Sequence, residues 1–173
     1  MSCGTCRECC INLKITSDEE EEQARIKKWV HLEGLKPAGI ACSSMKTNRL
    51  ANGGCSIHSE ETKPKLCSDY QCLFATGNLG TSKKVFRPDN LGVIFDFVPG
   101  DITTLRILEV RPKAIEQMLF KKTLWSIMAE LDKENKDYCL KWVTHDLIGK
   151  ETVIQQIKKV EEFSIAKKKL DEE

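Results

Sequence analysis

The opening MSCGTCRECC spaces Cys3, Cys6, Cys9 and Cys10 as C-x2-C-x2-C-C, and Cys42, Cys55, Cys67 and Cys72 follow before residue 75. No other feature restricts the fold as much. Two intervening residues let a pair of thiolates turn back onto one ion, because Zn–S bonds of about 2.3 Å set the sulfurs about 3.8 Å apart. Cys9 and Cys10 are neighbours, so their side chains leave the backbone in different directions and serve different metals or different roles. That implies two sites or one larger cluster, and eight thiols make two full sets of four. Reduced thiols packed as small hydrophobes are the other reading, and it fits poorly with so polar a neighbourhood.

Charge narrows the function. Lys and Arg total 27 against 26 Asp and Glu, a net charge of +1, so no overall field draws in nucleic acid or an acidic membrane. Arg7, Lys14, Arg49, Lys63 and Lys65 lie close in sequence to the cysteines. Without aromatic interleaving they suit the offset of a negative zinc–thiolate centre better than a nucleic-acid surface. No apolar run approaches the roughly 20 residues needed to cross a bilayer, and no stretch of signal-peptide type follows Met1. The expected compartment is the cytoplasm, with no membrane association. Thiols stay reduced there, so the cysteines point to metal binding or redox chemistry rather than to disulfides.

Composition divides the chain near residue 75, into a cysteine-rich zinc- or iron-chelating region, 1–75, and an α+β part, 76–173, completing the same compact domain. INLKI alternates Ile11, Leu13 and Ile15, the period of a short strand. SDEEEEQARIKKWVHLEG reads as a helix with Ser17 as N-cap, Glu20 three residues on, Gly34 as stop and Ile26, Trp29 and Val30 as the buried stripe. Residues 36–66 show no periodicity, and a metal holding Cys42, Cys55 and Cys67 would order them where burial cannot offset the entropy. LGVIFDFV, the turn PGD and TTLRILEV form a β-hairpin, with Leu91, Val93, Phe95 and Phe97 on one face and Leu105 and Ile107 on the returning strand. GNLG at 77–80 is a loop. AIEQMLFKKTLWSIMAEL places Ile115, Met118, Leu119, Trp125 and Leu131 at helical spacings, YCLKWVTH is a strand, and a second helix is expected over about Thr152–Leu170. The fold expected is α+β, an irregular cysteine-rich metal-stapled part packed with a β-hairpin and several helices.

CGTCRECC at 3–10 and GCSIHSEETKPKLCSDYQC at 54–72 together resemble the YkgJ-type CxxCxxCC family of zinc- or iron-chelating domains. The resemblance covers roughly residues 3–75. It implies eight ligands, Cys3, Cys6, Cys9, Cys10, Cys42, Cys55, Cys67 and Cys72, of which Cys42 has the least motif-like surroundings. Relatives tend to carry a Tyr and an Arg-Pro ahead of the third late cysteine and an Arg after it. Here His58, Lys63-Pro64 and Ser68 stand in those places, which removes the basis for inferring a partner read by that Arg. The family leaves zinc and iron both open. A related cluster in the flagellin lysine N-methylase implies that a 4Fe-4S cluster suits the motif, and soft thiolates serve zinc and iron–sulfur centres alike.

The remaining candidates are weaker. His58, three residues after Cys55, makes a conceivable C-x2-H pair, but eight cysteines leave it without need. His31 suits a helix C-terminus, His145 follows a strand, and Cys139 reads as a small buried residue. There is no GxSxG, phosphate loop, HExxH or dinucleotide fingerprint, so the sequence identifies no catalytic residue. The expectation is a metal-binding protein whose partner is a metal ion, with a protein partner open. The alternative is an iron–sulfur protein in redox or methyl-transfer chemistry, which would need a substrate pocket from residues 76–173.

Overall fold

A computed structural model of the chain describes residues 6–45, 55–57, 60–78, 84–98, 100–133, 138–148 and 156–158. These form an α+β arrangement. The helices are α1 (Glu8–Asn12), α2 (Glu20–Trp29), α3 (Lys65–Asp69), α4 (Leu73–Thr76), α5 (Pro88–Leu91) and α6 (Met118–Lys133), and the strands are β1 (Val93–Val98), β2 (Asp101–Glu109), β3 (Cys139–Val143) and β4 (Gln156–Lys158). The strands make one mixed sheet in the order β1-β2-β3-β4. β1 and β2 are antiparallel, β2 and β3 parallel, and β3 and β4 antiparallel. Parallel neighbours need a long crossover, and α6 provides it between β2 and β3.

Alternation along the hairpin gives the sheet two buried faces. Val93 and Phe95 of β1 and Leu105 and Ile107 of β2 pack with Phe120, Leu124, Ile127, Met128 and Leu131 of α6. Phe97 faces Leu105 and Phe95 faces Ile107 across the ladder. Phe95 stacks on Phe120 with ring centroids 5.9 Å apart, and Trp142 meets Phe120 edge-on. Each fully buried aliphatic side chain here contributes roughly 1.5–3 kcal/mol. The intervening residues Ile94 and Leu108 point the other way and pack with Cys72, Phe74, Ala75 and Val110, flanked by Cys9, Leu13 and Tyr70. The cysteine-bearing segments therefore rest on the second face of the sheet.

Several expectations need correction. Residues 8–12 are helical rather than extended. Asn12, buried, donates from Nδ2 to the Glu8 carbonyl at 3.0 Å and the Glu8 carboxylate at 2.9 Å, a one-turn lock that outweighs a three-residue alternation. Leu13, just past α1, is extended, and Ile15 makes an isolated bridge to Lys36. α2 starts later than expected, with Glu19 as N-cap, while Ser17 Oγ accepts from the Glu19 N–H. Its stripe does bury Ile26 and Val30, with Trp29 partly covered. Met118 is 65% exposed, because the face of α6 toward the sheet runs through Phe120, Leu124, Ile127 and Leu131 instead. A 3-10 turn over Ala114–Glu116 precedes α6 rather than extending it. Leu91 ends α5 but joins the expected cluster. Gln156–Lys158 is strand, where a helix was expected; the rest of that expected helix, with Cys3 and His58, lies outside the described residues. Cys139 is half-buried in β3.

Candidate metal centre

Cys9 and Cys10 occupy successive positions on α1, about 100° apart around the helix axis. They face different surroundings. Cys9 packs on the sheet face beside Tyr70, its Sγ 3.8 Å from the Tyr70 hydroxyl. Cys10 lies on the side of the Cys42 loop, where the Cys42 N–H donates to the Cys10 carbonyl at 3.2 Å.

The loop carrying Cys42 is fixed by the end of α2. Ser43 donates through its backbone N–H and its hydroxyl to the Val30 carbonyl, at 2.9 and 2.8 Å, and the Ser44 hydroxyl donates to the Trp29 carbonyl. These bonds satisfy carbonyls that a helix terminus leaves open. Cys55 enters through an antiparallel bridge to Met45, reinforced by the Ser56 N–H and hydroxyl, each 2.8 Å from the Ser44 carbonyl. Cys67 sits in α3, whose first N–H, that of Lys65, is capped at 2.7 Å by the buried Glu22 carboxylate of α2. Three separate segments thus place Cys42, Cys55 and Cys67 within electrostatic reach of one another. Burial pushes the Cys67 thiol up to about 11, and Cys42 and Cys55 add to the rise while Lys63 opposes it. The Cys42 thiol is also raised by burial, with the Ser44 N–H opposing and Cys55 adding. Thiols raised in this way are poor nucleophiles near neutral pH.

Lys36 lies among them. It is fully buried, and its ammonium donates to the carbonyls of Ile11 at 2.9 Å, Leu13 at 2.6 Å and Pro37 at 3.1 Å. Burial lowers its pKa, and Cys42, Cys10 and Cys67 act in the opposite direction. Among the described residues no carboxylate pairs with it.

Cys6 and Cys72 belong to another neighbourhood. Cys72, 2% exposed, is the N-cap of α4. Burial pushes the Cys6 thiol up to about 11, the backbone N–H groups of Glu8 and Asp89 oppose this, and Asp89 and Cys72 add to it. Tyr70 joins this group to the sheet. Its hydroxyl donates to Asp96 Oδ2 at 2.6 Å, and Arg106 grips the same carboxylate at 2.8 and 2.5 Å. Burial, then Cys9 and Asp96, raise the Tyr70 hydroxyl well above its ordinary value, so it remains a donor.

All eight described cysteines are thiols, with no disulfide among them. Among the described residues, no group of three or more His, Cys, Asp or Glu side chains is arranged to hold a metal ion. The thiols converge in two neighbourhoods without closing on one point. The donor chemistry fits a soft cation, and a buried ammonium held by neutral carbonyls fits an anionic centre beside it. No helix among the described residues is long and apolar enough to cross a membrane.

An open cleft of about 450 Å³ flanks α1, lined by Glu8, Ile11, Asn12, Gly39, Val110, His145 and Ile148. His145 Nδ1 lies 3.1 Å from the Val110 carbonyl, and the His145 backbone N–H donates to Glu109 Oε2 at 3.3 Å. Burial raises the Glu8 carboxyl, and Asn12 opposes that. Sequence reasoning missed Lys36, Glu22 and the Tyr70–Asp96–Arg106 group. Lys36, in a Gly- and Pro-rich loop, carried no signal; Asp96 did, as a charge inside the apolar run VIFDFV. Compared with known proteins, the chain matches no family model, no curated protein and no solved structure.

Proposed function

We propose that the protein binds zinc or iron through its cysteine-rich part, with Cys3, Cys6, Cys9, Cys10, Cys42, Cys55, Cys67 and Cys72 as the ligand pool. The observation that carries this reading is that Cys42, Cys55 and Cys67, from three separate segments, act on one another, with the buried Lys36 beside Cys10, Cys42 and Cys67. Thiols gathered from distant parts of a polar region cost ordering entropy that small apolar groups would not repay. Metal coordination repays it, at about 10–16 kcal/mol for structural zinc in small peptides. The same residues support placing the chain with the YkgJ-type CxxCxxCC family. A reducing compartment such as the cytoplasm would keep the thiols available.

Elemental analysis for zinc, iron and acid-labile sulfide, on protein purified without air and beside its absorption spectrum, tests this. Stoichiometric zinc in a colourless protein supports a structural or chelating module. Iron with sulfide in a brown protein supports the second reading, an iron–sulfur protein in redox or methyl-transfer chemistry, and the cleft beside α1 is the observation in its favour. Protein that holds neither metal, as purified or after reconstitution, overturns both.

A further inference from the structure

We infer that the cleft beside α1 binds a small organic cation whose head carries N–H donors, a primary ammonium or a guanidinium, on a short apolar stem. The inference is independent of the metal-binding reading, since no thiol lines the cleft. Its volume of about 450 Å³ falls in the range of about 300–1,000 Å³ that small-molecule sites occupy. Three polar side chains line it, Glu8, Asn12 and His145, and each presents an acceptor. Asn12, 6% exposed, uses both Nδ2 hydrogens on Glu8, one on the carbonyl and one on carboxylate Oε2. Both partners are acceptors, which fixes the orientation of the amide and leaves its Oδ1 over. His145 Nδ1 faces the Val110 carbonyl at 3.1 Å, so Nδ1 carries the proton and Nε2 of the neutral ring is a bare acceptor. Glu8 Oε1 is the third. Among the described residues nothing donates to these three atoms.

Buried charge without a counter-ion is the second observation. Glu109, 4% exposed, ends β2 directly before the cleft residue Val110, and its carboxylate accepts only from the backbone N–H groups of Ile115 at 3.4 Å and His145 at 3.3 Å. Among the described residues neither Glu109 nor Glu8 forms an ion pair. Arg111 is close enough to act on Glu8, but its Nη2 donates to the Asp89 and Asn90 carbonyls. A carboxylate removed from water is costly unless an opposite charge lies near. A cation seated in the cleft supplies that charge and offers donors to Asn12 Oδ1, His145 Nε2 and Glu8 Oε1, while Ile11, Val110 and Ile148 cover the stem. An anion would meet acceptors alone, and a quaternary ammonium would bring charge with nothing to donate.

Chemical-shift mapping of the full, isotope-labelled chain tests this, with n-butylamine, n-butylguanidine, n-butyltrimethylammonium, n-butanol and butyrate as probes at neutral pH. The first two should give saturable shifts at the amides of residues 8–12, 39, 110 and 145–148, and the other three should bind at least about 10-fold more weakly, the usual effect of losing a hydrogen bond to a charged group. Butanol or n-butyltrimethylammonium binding as tightly as the amine overturns the role of the three acceptors, and butyrate doing so overturns the preference for a cation. Absence of saturable shifts with both N–H cations, or shifts confined to other parts of the chain, overturns the cleft as the site. None of these outcomes bears on whether the thiols hold metal, which elemental analysis decides separately. His145→Asn keeps a side-chain donor for the Val110 carbonyl but lacks Nε2, and should weaken n-butylamine by about 10-fold; unaltered affinity overturns the part given to His145. If that variant does not fold, the five probes on the wild-type chain still decide the inference.

Discussion

Asp96 is 1% exposed and carries three charge-assisted hydrogen bonds, two from Arg106 and one from Tyr70. Removing one partner of a buried pair leaves a charge without compensation, so Arg106→Ala should destabilise the protein by about 3–5 kcal/mol. Tyr70→Phe removes a single bond to a charged group and should cost about 1.5–3 kcal/mol. Urea unfolding of both variants checks the order; equal effects would mean that Arg106 is not the main counter-charge. At this scale the sequence was partly legible. An Asp flanked by Phe95 and Phe97 announces a buried polar face, but its partner ten residues away becomes visible only through the hairpin register that sets Asp96 opposite Arg106.

Elements were legible where their period ran long enough. Alternation over β1 and β2 identified the hairpin and its inner face, because a one-residue slip would send every apolar side chain to the wrong side. The turn between them depends on Asp101, whose Oδ1 accepts from the Thr103 N–H at 2.9 Å and the Thr103 hydroxyl at 2.6 Å, and whose Oδ2 accepts from the Thr104 hydroxyl at 2.5 Å. Those bonds hold its carboxyl down from 3.8 to about 2. A depressed acid pKa adds stability that is complete above the unfolded value and lost as pH falls through the folded one. The amides of Thr103 and Thr104 should therefore lose hydrogen-exchange protection between pH 4 and 2, and Asp101→Asn should abolish that acid step. Gly92 begins the hairpin at φ +76, where an added Cβ would stand 2.8 Å from the Ala114 Cβ and 2.9 Å from Arg111 Nε. Gly92→Ala should cost about 1–3 kcal/mol by thermal or urea unfolding. Around α6 the pattern misled at Met118, which shares a spacing with buried residues but precedes the point where the helix meets the sheet, whereas Ile115, in the 3-10 turn, still packs against the core. Met118→Lys should stay within about 0.5 kcal/mol of the parent, whereas Leu124→Ala should cost about 2–5 kcal/mol.

For the whole molecule, the two faces of the sheet carry different kinds of stabilisation. The α6 face holds an apolar cluster of the ordinary sort, while the opposite face joins Ile94 and Leu108 to cysteine-bearing segments with few apolar groups of their own. A chelator should accordingly lower the melting temperature of metal-loaded protein and open residues 36–66 to proteolysis before α6 is cut, with mass spectrometry of the early fragments as the check. Simultaneous cleavage in both regions would mean that metal and apolar core are one cooperative unit. The sequence by itself determined the α+β class, the hairpin, the long helix and the pool of thiols, because period and residue chemistry are local properties. Only the tertiary structure decided that α1 is helical, that its adjacent cysteines face different neighbours, and that a lysine from a loop is buried among three of the thiols. Those outcomes depend on which distant carbonyls, carboxylates and thiols meet, and no local pattern in the chain encodes such meetings.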